Sequence, residues 1–129
     1  TERGLLVPVV RDVQKKGILA LSAEIVDTAR RARNKKTKPD EFEGGTFTLS
    51  NQGSIGGTAF TPVVVWPQAA ILGISRARRT LLERDGDFEA RTILPLCLSY
   101  DHRIVDGADA ARFLDFVCRS VEQGLTLVL

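Results

Sequence analysis

Histidine occurs once in this 129-residue chain, at His102, and methionine does not occur at all. A single imidazole rules out a two-histidine metal site or a histidine cluster, so His102 acts alone or has no chemical role. Cysteine is scarce too. Cys97 and Cys118 lie in separate apolar segments without CxxC spacing, which points away from a disulfide framework or a zinc site and fits a reducing compartment. Neither sign of charge is in marked surplus: 18 Lys+Arg against 16 Asp+Glu give +2, too mild to imply nucleic acid or an anionic membrane as partner, although it excludes neither. The longest apolar stretch, Ala59 to Ile74, is interrupted by Pro62, Pro67 and Gln68 and is too short to span a bilayer as one helix. No GxGxxG or GxxxxGK[ST] pattern supports a nucleotide-phosphate loop, and internal repeats and low-complexity linkers are missing.

The balance of 43% hydrophobic and 26% charged residues is that of a globular protein, and the length is one domain's worth at most. Thr1 to Val7 has no initiator methionine and none of the features of a signal peptide, so the chain reads as beginning inside a folded domain. Leu5 to Val10, carrying Pro8, reads as an edge or bulged strand. Ile18, Leu21, Ile25, Ala29 and Ala32 recur at helical spacing and predict a core-facing helix. The basic run of Arg30, Arg31, Arg33, Lys35, Lys36 and Lys38 resembles a phosphate patch, but cations in a helix's last turns complement its dipole and are better read as solvated. Pro39 to Gly45 is a polar loop, Thr46 to Ser50 a strand, and Asn51 to Gly57 turn chemistry. Two further strands are expected over Ala69 to Ser75 and Arg91 to Tyr100, with a hairpin turn signal at Asp85-Gly86-Asp87 between them. After the polar loop Asp101 to Gly107, Ala110, Phe113, Leu114, Val117 and Val121 predict a second helix that Gly124 ends.

The chemistry-bearing candidates each have an ordinary reading as well. His102 sits in a loop between an apolar run and a helix start, where functional groups are commonly held, yet a lone histidine is more often structural. Asp106 just before a helix is a favoured N-cap, and Ser50 at a strand end is a common turn residue. A Cys97–His102 dyad is disfavoured, because five residues along an extended chain point the two side chains to opposite faces.

Leu98 to Ala108 contains the pattern DHRxxDG, from Asp101 to Gly107, and here the chain resembles the dihydrolipoamide acyltransferases, the E2 components of the 2-oxoacid dehydrogenase complexes. Gly4 to Val10 is similar to that family's GLxVPV segment, Gly44 to Asn51 to its GGTFTxSN segment, and Phe60-Thr61-Pro62 and Pro67 to Gly73 also resemble it, all in family order. The resemblance implies a chloramphenicol-acetyltransferase-like α/β fold, a two-layer sandwich with a mixed sheet. The chain, residues 1–129, would be the C-terminal part of the catalytic inner-core domain, without its N-terminal half and without the lipoyl and peripheral-subunit-binding domains. It also implies homotrimers that build a larger core, with E1 and E3 bound through regions outside this chain, and a cytoplasmic or mitochondrial-matrix location.

On the same resemblance His102 is the general base that takes a proton from the thiol of coenzyme A or of dihydrolipoamide, Ser50 donates to the oxyanion, and Asp106 organises the histidine loop. The lipoyl group would arrive on a domain outside the chain, no metal would be used, and histidine and serine would meet across a subunit interface. The segment Ser54 to Pro62 looks most like acetyl-transferring members, and succinyl-transferring ones often place Thr at the Ser50 position. Val65-Trp66 departs from the Asn-Pro of many relatives, which keeps branched-chain acyl transfer as the alternative. A non-catalytic E2-like scaffold fragment is the reading from another class: the presence of His102, Asp106 and Ser50 argues against it for the full-length protein, and for this fragment it stays an alternative. A nucleic-acid-binding module lacks interleaved aromatics beside the basic run. In isolation the chain is expected to expose apolar surface and unpaired strand edges.

Overall fold

A computed structural model describes residues 4–124. Its helices and strands run in the order α1 (Ile18–Arg33), β1 (Thr48–Asn51), β2 (Ala70–Ile74), β3 (Arg78–Arg84), β4 (Asp87–Ile93), β5 (Leu96–Tyr100) and α2 (Gly107–Gln123), with short 3-10 turns at Val13–Lys15 and Pro39–Phe42. The chain divides into two compact units: residues 46–114 form one, and the described residues on either side of that stretch form the other.

In the unit of residues 46–114 the strand order is β1-β2-β5, with β1 parallel and β5 antiparallel to β2. The mixed sheet is the expected one. Central β2 is its most buried strand, with Ile71, Leu72 and Gly73 all covered, as a strand flanked on both edges should be. The single strand expected over Arg91 to Tyr100 is two. Pro95 cannot donate to a ladder, so β4 ends at Ile93 and β5 starts at Leu96, while the Pro95 carbonyl accepts the Ser75 N–H at 3.1 Å. The Asp85-Gly86 turn is present, with left-handed φ at both residues, but it joins β4 to β3, a strand whose run Arg78 to Arg84 has no alternating apolar pattern to announce it. The β3–β4 ribbon leaves Leu81 and Phe88 about 70% exposed, at 69% and 73%.

In the other unit α1 follows Gly17 as its N-cap and ends in a Schellman arrangement, with Lys36 N–H on Arg31 O and Lys35 N–H on Ala32 O. Lys35 takes the left-handed conformation that glycine usually supplies there. The expected apolar stripe is only partly covered within this chain: Ala32 is buried and Leu21 and Ala29 are partly buried, whereas Ile18 and Ile25 are more than half exposed. Leu5 to Val10 is not a strand. Pro8 has no N–H to give, and the Val9 N–H goes to Glu41 O at 2.7 Å in the Pro39–Phe42 turn rather than to a neighbouring strand. The basic run is solvated at Arg33, Lys35, Lys36 and Lys38, as read from sequence, whereas Arg30 and Arg31 are paired. Arg30 and Arg31 both bind Asp27, and Arg31 also binds Glu41, so that both carboxyls are held below their usual range.

Candidate active site

Strand β1 is too short to position a side chain by itself, and its register against β2 does so. Ser50 lies beside Gly73, and Gly73 lies beside Cys97 of β5, so the three form one row on one face of the sheet. Thr48, Ile71 and Ser99 form the next row on that face. The Thr48 hydroxyl donates to Gln68 Oε1 at 2.6 Å, anchoring the start of β1 to the segment that leads into β2. Over Gly73 the face is closed by Phe60 and Pro62, whose rings stand where a side chain on that residue would be. Phe47, just before β1, meets Phe113 of α2 with ring centroids 5.7 Å apart and planes tilted by 60°.

Ser50 is half-buried, and its hydroxyl has no hydrogen-bond partner among the described residues. Beyond it, the Gln52 N–H reaches Ile74 O at 3.0 Å, Asn51 Oδ1 accepts the Gly53 N–H at 2.9 Å, and Arg76 donates to the carbonyls of Gly53 and Ser54. The serine therefore sits one residue before a tethered loop.

His102 occupies the turn that leaves β5. The Asp101 N–H bonds Ala69 O at 2.8 Å, one step past the regular ladder, and Asp101 O then accepts the N–H groups of Ile104 and Val105, both at 3.0 Å. The Asp101 carboxylate also binds the Arg103 guanidinium through both oxygens and takes the Arg103 backbone N–H at 3.0 Å. Those bonds hold the Asp101 pKa down to about 2. Residues on both sides of the histidine are thus tied to one carboxylate while the imidazole itself stays exposed, 5.4 Å from the Tyr100 ring. Spacing alone did not single out Asp101, Arg103 or Tyr100. The available signal was an acid and a base two residues apart around the histidine.

Asp106 caps α2: its Oδ1 accepts the Asp109 N–H at 2.8 Å, and its carbonyl accepts that of Ala110. Cys97 is within β5 and His102 two residues beyond its end, so their relation is set by the turn rather than by one extended run. Among the described residues no group of three or more His, Cys, Asp or Glu is arranged to hold a metal ion, and no helix is long and apolar enough to cross a membrane.

Ser50 and His102 do not meet within the chain. Ser50 is level with Gly73, and Tyr100 with Ala70. Three residues of strand rise and two strand spacings put the Ser50 and Tyr100 α-carbons about 14 Å apart. The His102 turn then continues from the end of the sheet farther from Ser50.

The whole chain, residues 1–129, matches the family model for 2-oxoacid dehydrogenases acyltransferase (catalytic domain). It is 53% identical over 113 residues to the dihydrolipoyllysine-residue acetyltransferase component of the pyruvate dehydrogenase complex of Pseudomonas aeruginosa, covering 88% of this chain and 21% of that protein. The Azotobacter vinelandii counterpart is 51% identical over 113 residues, covering 88% and 18%. A structure of the Azotobacter vinelandii dihydrolipoamide acetyltransferase, concerned with the role of a serine, a histidine and an asparagine in its catalytic mechanism, superposes with a TM-score of 0.92 at 48% identity, covering 98% of this chain and 52% of that one. The cubic core of a pyruvate dehydrogenase multienzyme complex gives a TM-score of 0.92 at 47% identity with the same coverage. The chain thus spans about a fifth of the length of these curated relatives and about half of the solved chains.

Proposed function

The chain belongs to the 2-oxoacid dehydrogenase acyltransferase catalytic-domain family, and from that premise we propose that it is the C-terminal part of an E2 inner-core domain. That domain transfers an acetyl group between a dihydrolipoyl arm and coenzyme A. Both thiols are substrates, and the lipoyl group is carried on a domain outside this chain. Ser50, His102 and Asp106 carry the site. The serine, histidine and asparagine of the Azotobacter protein are separated by 52 and 4 residues, the separations of Ser50, His102 and Asp106 here, with an aspartate in place of the asparagine.

His102 accepts the S–H proton of the attacking thiol. A free thiol ionises near pH 8.5 and a free imidazolium near 6.5, so complete transfer in water is uphill by roughly 2.7 kcal/mol, which favours proton removal coupled to attack. The sulfur forms a bond to the thioester carbonyl carbon, and the Ser50 hydroxyl donates to the oxygen on which negative charge develops. Collapse breaks the other C–S bond, and the departing thiolate recovers the proton from His102. Neither Cys97 nor Cys118 becomes acylated. Asp106 keeps the histidine loop in place by starting α2.

The separation of Ser50 from His102 within one chain carries this reading. Both groups must lie within about 3 Å of the same thioester, so an active site built from them takes its histidine from one subunit and its serine from another. Homotrimers that build a larger core meet that need, with E1 and E3 engaged through regions outside this chain. Apolar surface left open at Ile18, Ile25, Leu81 and Phe88 supports burial against further protein.

Mixed assemblies test the proposal. In the native assembly His102→Ala lowers kcat by about 10² to 10⁴ and Ser50→Ala by about 10² to 10³, with acetyl-CoA preferred to isobutyryl-CoA by the unaltered protein. Co-expressing the two variants restores up to about a quarter of the sites, because some interfaces unite an intact histidine with an intact serine. Mixed particles no more active than the single variants would overturn the shared site, and an assembled His102→Ala protein with full turnover would leave a scaffold.

A further inference from the structure

We propose that Arg76 is a positioning residue for Ser50, an inference that rests on Ser50 being the oxyanion donor. An oxyanion donor works only if it is held where charge appears, and β1 offers little to hold it. The strand has four residues and pairs only with β2 among the described residues. It runs into a loop in which Gly56 and Gly57 both take positive φ, the conformational freedom of glycine used twice in succession. Arg76 supplies the missing restraint. It stands two residues after the end of β2, next to Ser75, which is 5% exposed, so its backbone leaves directly from the best-buried strand of the sheet.

From there the guanidinium reaches across to the loop. Nε donates to Gly53 O at 3.0 Å and Nη2 to Ser54 O at 3.2 Å, one planar fork on two successive carbonyls. Gly53 lies so close to this strand end that a Cβ there would stand 3.4 Å from Ser75 O and 3.7 Å from Arg76 Cα. With the bond from Gln52 N–H to Ile74 O, these contacts fasten the chain after Ser50 to the exit of β2. Removing the fork leaves the strand pairing of Ser50 with Gly73 intact and widens the spread of positions its hydroxyl visits.

A double-substitution cycle in the native assembly tests this, reading kcat, KM for coenzyme A, melting temperature and sedimentation. Arg76→Ala lowers kcat roughly 5- to 50-fold, the scale of a small misplacement, and moves KM less than about threefold. Arg76→Lys, with a point charge instead of a fork, recovers only part of that loss. In the Ser50→Ala background Arg76→Ala changes kcat by less than about twofold, because the group it positions is gone. Full kcat in Arg76→Ala, equal effects with and without Ser50, or a loss confined to KM would each overturn the positioning role. So would failure of both Arg76→Ala and Arg76→Lys to assemble, which would make the residue a folding determinant. If Ser50→Ala itself keeps full kcat, the oxyanion-donor reading fails instead.

Discussion

Gly73 lies directly beside Ser50 in the parallel pairing of β1 with β2, and a Cβ on it would stand 3.0 Å from the Phe60 ring and 3.1 Å from Pro62 Cδ. The phenyl ring can tilt away. The proline ring is fixed to the backbone and cannot. Gly73→Ala is therefore expected to destabilise the protein by about 1 to 3 kcal/mol, the usual cost of overpacking a filled site, and to depress turnover by disturbing the neighbouring serine. Thermal unfolding measures the first effect. Replacing Pro62 by Ala in the Gly73→Ala protein, which removes both ring carbons in the way, should recover part of the lost melting temperature, and an unchanged melting temperature in Gly73→Ala alone would contradict the close packing.

The Asp106 carboxylate caps the first turn of α2 by accepting the Asp109 N–H. Asparagine caps equally well, so Asp106→Asn should leave both stability and turnover close to the unaltered protein, whereas Asp106→Ala should cost about 1 kcal/mol of stability. Chemical denaturation of the two variants, with activity measured on the same preparations, checks the pair. An Asp106→Asn protein that assembles normally and is inactive would show that the negative charge, and not the cap, is what the site needs.

Asp101 links stability to pH. Its pKa is about 2 in the folded chain against 3.8 ordinarily, because Arg103 donates to its ionised form. The depressed value means the pair's contribution is complete above about pH 4 and is lost as pH falls from there toward 2. Since the Arg103 side chain is 85% exposed, solvent and salt screen the pair, and the contribution is modest at high ionic strength. Melting curves of the unaltered protein and Asp101→Asn should differ at neutral pH and low salt and converge as the pH is lowered through that window. A difference that persists unchanged at pH 2 would show that hydrogen bonds independent of charge hold the His102 turn.

The parts legible in the sequence were those recorded within a few neighbouring residues. Helical spacing located α1 and α2, Gly124 marked the end of α2, Asp85-Gly86 marked a hairpin, and the run from Asp101 to Gly107 placed His102 in a turn ahead of an N-cap. Even locally the record has gaps. Arg78 to Arg84 carries no alternating apolar pattern and became a strand because β4 pairs with it, and the apolar run into Tyr100 concealed the break that Pro95 imposes.

Composition and motif spacing determined by themselves that one imidazole is the only histidine available, that the two thiols lack metal-binding spacing, and which residues resemble an acyltransferase site. Tertiary structure alone decided that Ser50 shares a row with Gly73 and Cys97, that Arg76 reaches back to the loop after the serine, and that Ser50 and His102 lie at different ends of the same sheet. The physical reason is that register is set by backbone hydrogen bonds between segments more than twenty residues apart, whose N–H and C=O groups are the same for nearly every side chain. Spacing along the chain shows which groups exist, whereas the ladder decides which of them can touch the same molecule.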